Sequence, residues 1–375
     1  MTAERLDVVV LGLSITSSWG NGHATTYRAL MRALHDRGHR VLFLERDVPW
    51  YAANRDLPAP PYGRTALYGS LAELRDAHGV ALRAADLVLV GSYVPDGAEV
   101  LRLVQDLARG TVAFYDIDTP VTLARLRRGE CEYLRAELVP ALDLYLSFTG
   151  GPTLDRIERE LGAPLARALY CSADPEVHRP SDAVPRFDLG YVGTYSADRQ
   201  AALERLLLEP ARRSPALRFA VAGPQYPAEL RWPANVERLE HLPPGAHAEF
   251  YAAQRFTLNV TRADMVRAGW SPSVRLFEAA ACGTPILSDP WPGLEEFFEP
   301  GREILLARTT EDALRVLGSM PDDERRVVGA RARRRVLAAH TAAHRARELE
   351  GFVREAKERR ARRRAPKEKA RPAAS

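Results

Sequence analysis

Short apolar runs alternate with longer amphipathic stretches along this chain, and the rhythm occurs twice. Residues 6–13 (LDVVVLGL) are apolar almost throughout, as in a strand buried on both faces of a parallel sheet. A polar loop follows, and then Tyr27, Leu30, Met31 and Leu34 fall at helical spacing before Gly38 stops the helix. Residues 41–44, 85–91, 111–115 and 142–147 read as further strands, with helices over 100–107 and up to 161. Residues 50–64 form a Pro-rich connection of the kind that often lines a site. Residues 181–185 are short and polar with Pro185 at the end, a linker composition. The pattern then restarts. Strands are predicted at 187–192, 217–222, 236–241, 256–260 and from 286, and helices at 200–208, 250–254, 310–318 and 322–353. Two doubly wound α/β domains are the expected result.

Within the second half, residues 269–289 (GWSPSVRLFEAAACGTPILSD) combine a loop, a helix and a strand. Ser271, Pro272 and Ser273 suit a helix start, where the first amides lack partners. Cys282-Gly283-Thr284-Pro285 is a stop. Unpaired amides beside Arg275 suit a diphosphate, and Glu278 one turn further can accept hydrogen bonds from ribose hydroxyls. The plain alternative is a capped amphipathic helix whose Arg and Glu are solvated.

The first loop offers a second site. Gly20 and Gly22 allow close backbone approach, and His23 at the helix start is placed to act as a base or to orient a hydroxyl. A capped helix with a surface His fits equally well. Gly20-Asn21-Gly22 also fits part of a dinucleotide fingerprint, with Glu45 as the ribose acid. Thr25 stands where the third Gly belongs, and the loop is too long. Asp116 and Asp118, two apart at a strand end, would point the same way and suggest a metal. Asp118 as an acceptor-binding or turn residue is the preferred reading.

Composition narrows the chemistry. The only lysines are Lys357, Lys367 and Lys369, so phosphate-loop and Schiff-base chemistry are excluded, and Arg, hydroxyls and amides must hold any phosphate. Cys131, Cys171 and Cys282 are odd in number and far apart, which argues against a disulfide framework or a Cys-based zinc site. With no signal-peptide pattern and no membrane-length apolar run, a cytoplasmic setting is expected. The net charge is +4, yet residues 354–375 hold ten Lys and Arg against three Glu, so the rest is mildly acidic. That basic end reads as a disordered tail, with weak contact to anionic surfaces as its other use.

The run FEAAACGTPILSD resembles group 1 glycosyltransferases of the GT-B fold, which carry a Glu before small residues and a Gly-Thr-Pro turn. With Ser271, Pro272 and Arg275 added, the segment is similar to the CgeB-like, spore-maturation branch of that group, and the likeness extends weakly over residues 6–350. It implies two Rossmann-like domains across a cleft: an acceptor domain at 1–182, a nucleotide-sugar domain at 186–335, a helix at 336–353 crossing back, and the basic tail at 354–375. It further implies a metal-independent, retaining transferase with no cofactor that takes a nucleoside-diphosphate sugar. The donor sugar, the base, the acceptor (glycan, protein or small molecule) and the oligomeric state are left open. The diphosphate would meet Gly22, Arg199, Ser271, Ser273 and Arg275, and the nucleoside Gly223, Leu242 and Glu278. His23 and Asp118 are the catalytic candidates. Two departures stand out: no Lys accompanies Arg199, and Trp270 occupies the place of the first Glu in the family's Glu-x7-Glu pair. A nucleotide-sugar epimerase, an NAD-dependent oxidoreductase and a non-catalytic scaffold are the competing readings.

Overall fold

The computed structural model describes residues 5–364. Its first half holds β1 (Asp7–Gly12), β2 (Arg40–Arg46), β3 (Arg64–Tyr68), β4 (Leu87–Gly91), β5 (Thr111–Asp116), β6 (Leu144–Ser147) and β7 (Ala166–Ala168). They form one parallel sheet in the order β3-β2-β1-β4-β5-β6-β7. The second half holds β8 (Phe187–Val192), β9 (Phe219–Ala222), β10 (Val236–Leu239), β11 (Gln254–Asn259), β12 (Ile286–Ser288) and β13 (Leu305–Leu306). These pair in parallel in the order β10-β9-β8-β11-β12-β13. Each sheet winds outward in both directions from a central pair, β1/β4 or β8/β11. Open sheets of this type bind ligands at the carboxyl ends beside that reversal.

The double burial expected of residues 6–13 has a simple origin. Successive side chains of a strand point to opposite faces. Val8 and Val10 join one core with Leu30 and Met31, while Val9 and Leu11 join another with Leu74 and Leu101. Both faces are covered, so neither register can be polar. The edge strand β3 shows the converse. It pairs only with β2, and four of its five side chains stay partly or fully exposed, so its mixed sequence gives no apolar run. The helices Leu71–Ala84 and Ala263–Ala268 were likewise not expected.

The helix predicted over 322–353 is two helices, Asp322–Ala339 and Ala342–Arg364. The chain turns at His340 and Thr341, where Ala173 and Thr341 bridge. The second helix crosses back and seals the first domain with Ala346, Leu349, Val353 and Ala356 against the core built on the helix His23–Asp36. A disordered tail from residue 354 is therefore corrected, because the helix continues to Arg364. Burial of Ala356 and ion pairs of Glu355 with Arg167 (2.5 Å) and Arg360 with Asp143 (3.4 Å) hold it down. Lys357, 3.6 Å from Asp86, thus belongs to the folded body, on that helix. Residues 365–375 of the expected tail lie outside the described residues. Among the described residues, no helix is long and apolar enough to cross a membrane.

Candidate active site

A cavity of about 480 Å³ lies between the two sheets. Its walls come from the loops after β1, β5, β8, β9, β10 and β11, and from the start of the helix Val274–Ala281. Carboxyl ends of strands from both domains therefore converge on one space.

The helix Val274–Ala281 forms as its sequence suggests. Gly283 takes φ 77°, its amide reaches the Ala280 carbonyl (2.9 Å), and Thr284 reaches Ala279 (3.0 Å), which closes the last turn. Its alanines let the helix Asp322–Ala339 approach so closely that a Cβ on Gly329 would fall 2.1 Å from the Gly283 carbonyl oxygen. At the other end, Ser273 gives the first amides no side-chain cap. Its hydroxyl is instead turned to Asn259 Oδ1 (2.8 Å).

Arg275 is buried. Its Nε donates to the Val192 carbonyl (2.6 Å) and Nη1 to Asn259 Oδ1 (2.8 Å), and the guanidinium lies 4.6 Å over the Tyr191 ring. Nη2 has no protein hydrogen bond among the described residues. Arg199 donates Nη2 to the Thr194 carbonyl (2.6 Å), while its Nε is buried without a partner. Neither guanidinium has a carboxylate within ion-pair distance among the described residues, and both line the cavity. Unpaired buried cations are rare. Buried Arg275 and half-buried Arg199, beside an uncapped helix start, suit this wall to an anion.

Gly223 brings a further backbone to that wall. It adopts φ 142°, and a Cβ there would lie 2.1 Å from the Gly193 carbonyl oxygen, so only glycine fits. Leu242 and Glu278 line the same end of the cavity. The Glu278 carboxylate accepts from Tyr251 (3.1 Å) and has His247 Nδ1 at 3.4 Å and His178 Nε2 at 3.5 Å. Burial would raise its pKa, but the two imidazoles and the Tyr251 hydroxyl outweigh this and hold it at about 2. Burial pushes His247 down, and the neighbouring Glu278 carboxylate more than offsets it, so its pKa is raised.

His23 and Asp118 face these groups from the first domain. Burial lowers the His23 pKa to about 4, with Asp118 opposing and Arg262 assisting, so the ring is neutral at physiological pH. Asp118 Oδ2 accepts from Tyr93 (2.7 Å) and from Arg262 Nη1 (3.1 Å), and Arg262 also reaches Asp198 (3.3 Å). Arg262 therefore spans the cleft. A tilted contact between Trp19 and His241, centroids 4.5 Å apart, spans it too.

Nine of the ten residues proposed for the site line this cavity: Gly22, His23, Asp118, Arg199, Gly223, Leu242, Ser273, Arg275 and Glu278. Ser271 does not, and its placement at the phosphates is corrected. It is buried, and its hydroxyl bonds Thr149 of the first domain. The pairing of Asp116 with Asp118 is also corrected. Asp116 ends β5 beneath the site, where Tyr145 (2.6 Å) and Thr122 (2.7 Å) donate to it, and burial lifts its pKa to about 6. Asp118 lies past the strand end with φ −146° and ψ 45°, so strand alternation does not govern it. Glu45 cannot receive a ribose, because Ser14, Ile15 and Thr16 already donate four hydrogen bonds to its carboxylate at 2.6–3.0 Å. That removes the basis of the dinucleotide reading.

Trp270 explains its own departure. It has φ 45°, its carbonyl accepts from the Gly150 amide (3.0 Å), and its ring sits between Gly151 and Gly293, where added Cβ atoms would fall 2.5 and 2.6 Å away. The residue is a wedge between domains, not a sugar contact. Arg262 is expected only as a residue after a strand end close to the cleft, without a role. His178 and His247 are not singled out, since one lies in a bend and the other opens a short helix without any local pattern.

Fold and cavity together define a class: facing Rossmann-like domains with an anion-receptive cleft, the GT-B architecture of glycosyltransferases. Residues 199–351 match the family model described as Glycosyl transferase-like. HepE of Anabaena, solved with UDP and glucose, is similar over 93% of this chain and 100% of its own, at 13% identity and a TM-score of 0.68. An alpha-glucosyltransferase solved with UDP covers the same shares at 12% identity and a TM-score of 0.68. Sucrose-phosphate synthase from Thermosynechococcus elongatus is similar over 93% of this chain and 98% of its own, at 15% identity and a TM-score of 0.64. No curated protein sequence matches the chain.

Proposed function

We propose that this protein transfers a sugar from a nucleoside-diphosphate donor to an acceptor, with retention at the anomeric carbon. The observation that carries the reading is the pair of guanidiniums, Arg199 and Arg275, that line the cavity without a carboxylate partner among the described residues. Together with the free amides at the start of the helix Val274–Ala281, they would hold the diphosphate. Negative charge grows on that group as the glycosidic bond breaks. Cations and amides fixed there beforehand therefore stabilise the transition state more than the bound donor, without a metal at the phosphates. Glu278, Leu242 and the Gly223 backbone would receive the nucleoside. Uridine is the base to test first, since two of the structural neighbours were solved with UDP.

His23 and Asp118 would face the transferred sugar and the acceptor hydroxyl. Asp118 is already engaged by Tyr93 and Arg262, which suits it to orienting rather than to accepting a proton. Neutral His23 can accept a hydrogen bond through its open ring nitrogen. A front-side transfer asks little more of the protein than this clamp and the exclusion of water by closure. The acceptor domain is the first one, and the CgeB-like likeness is the finer form of the same reading. A thermal-shift panel of nucleoside diphosphates tests it. At a hundredfold excess over Kd, the bound nucleotide should add about 2.7 kcal/mol of stability. If UDP, GDP and TDP all leave the melting temperature unmoved, the donor assignment is wrong.

A further inference from the structure

Behind the nucleoside end of the cavity stands a cluster that the diphosphate clamp does not use. His178 comes from the segment joining the domains, His247 opens the short helix His247–Ala252, and Glu278 lies on the helix Val274–Ala281. One donor atom from each lies within 4.8 Å of the others. Four buried atoms here have no hydrogen-bond partner among the described residues: both ring nitrogens of His178, Nδ1 of His247 and Oε1 of Glu278.

The spacing separates two explanations. Hydrogen-bonded nitrogen and oxygen atoms stand about 2.7–3.2 Å apart. Ligands of a tetrahedral ion with bonds of about 2.0–2.2 Å stand roughly 3.3–3.5 Å apart. Glu278 meets the rings through different oxygens, Oε2 at 3.4 Å from His247 Nδ1 and Oε1 at 3.5 Å from His178 Nε2, so both contacts are longer than an ordinary hydrogen bond and the carboxylate straddles the space between the rings. The second ring nitrogen of His247 is 3.3 Å from the Leu242 carbonyl, which can only accept, so that nitrogen carries the hydrogen. In the neutral ring, Nδ1 then presents a lone pair to a carboxylate oxygen, and a cation between them removes the conflict.

We propose that His178, His247 and Glu278 bind one divalent ion of the zinc class. Two imidazoles and a carboxylate select zinc, cobalt or nickel over magnesium or calcium, which prefer all-oxygen shells. The Leu242 carbonyl and the Tyr251 hydroxyl, 3.1 Å from Glu278, orient the ligands from behind. His247 and Glu278 also line the cavity, so the fourth position opens into it. A water or a ribose hydroxyl completes the shell. Only that last ligand rests on the donor reading.

The test uses the full chain after treatment with a chelator. Titration with Co²⁺ should give the visible absorption of a four-coordinate site, saturating at one ion per chain and displaced by Zn²⁺. His178→Ala and His247→Gln, each checked for wild-type circular dichroism, should weaken the metal by more than about 100-fold. No absorption on the wild-type chain overturns the site whether or not the variants fold, as does unchanged affinity in both variants. In that case the cluster is a hydrogen-bonded imidazolium–carboxylate group. UDP calorimetry on the same sample separates the two ideas. Metal binding without UDP binding removes the donor reading alone, and UDP binding without metal removes this one alone.

Discussion

Arg275→Lys keeps the charge and the approximate length of the side chain but not its fork. In the structure the guanidinium serves three directions at once. Nε–H holds the Val192 carbonyl, Nη1 holds Asn259, and Nη2 is left for the ligand. An ammonium at one point can meet two of these at best. Whichever contact is lost is charge-assisted and partly or wholly buried, worth about 1.5–3 kcal/mol. If the lysine turns to Val192 and Asn259, the diphosphate loses that amount, and UDP binds roughly 10- to 150-fold more weakly. If it turns to the phosphate, the Val192 carbonyl is orphaned and the fold loses a similar energy. Calorimetry with UDP and with uridine, alongside a melting curve, distinguishes these. The expected result is weaker UDP binding or a lower melting point, with uridine affinity within about twofold of wild type. Equal losses for uridine and UDP would refute the phosphate role. Unchanged UDP affinity and stability together would refute the whole account of this side chain.

Three other outcomes follow from the geometry. Glu45→Ala strands the amides of Ile15 and Thr16 and should cost about 3 kcal/mol, or roughly 6–12 °C in melting temperature; a fall under about 2 °C contradicts the burial argument. Gly151→Ala adds a methyl against Trp270 at φ 54° and should cost about 2–4 kcal/mol in urea unfolding, whereas Trp270→Ala in the same background should relieve part of it; additive losses would show that the two do not touch. Burial, with Arg345 and Arg335 nearby, lowers the His340 pKa to about 3, while its Nδ1 accepts from Arg345 Nη2 (2.8 Å). A depressed histidine pKa means that the unfolded chain binds the proton first. Stability is therefore complete above about pH 6.5 and falls as pH drops towards 3. From pH 7 to 5 the loss from this group is about 2 kcal/mol, and His340→Gln should show a correspondingly flatter pH profile by urea titration.

The central strands and the pocket helix were legible because each is dictated locally. β1 is covered on both faces, so every position is apolar, and the helix Val274–Ala281 carries its own stop at Gly283. β3 was not legible, since an edge strand with one neighbour needs little apolar surface. The site divides in the same way. Arg275 and Glu278 share a helix start, and Gly22 and His23 share a loop, so the sequence lays them side by side. Ser271 looked equivalent to Ser273, but the bend at Gly269 and Trp270 turns it to Thr149. His178 and His247 stand 69 positions apart, and only the packing of the joining segment against the second sheet makes them neighbours.

The helix Ala342–Arg364 has a consequence for synthesis. Leu349, Val353 and Ala356 complete a core whose other members include Val8 and Val10, and Glu350 joins Arg37 and His39 over the same face. While the ribosome is still translating, residues 6–34 must wait for residues 342–356 to cover them. A nascent first domain therefore carries an open greasy flank through the making of the entire second one, which is the interval when a chaperone has something to hold.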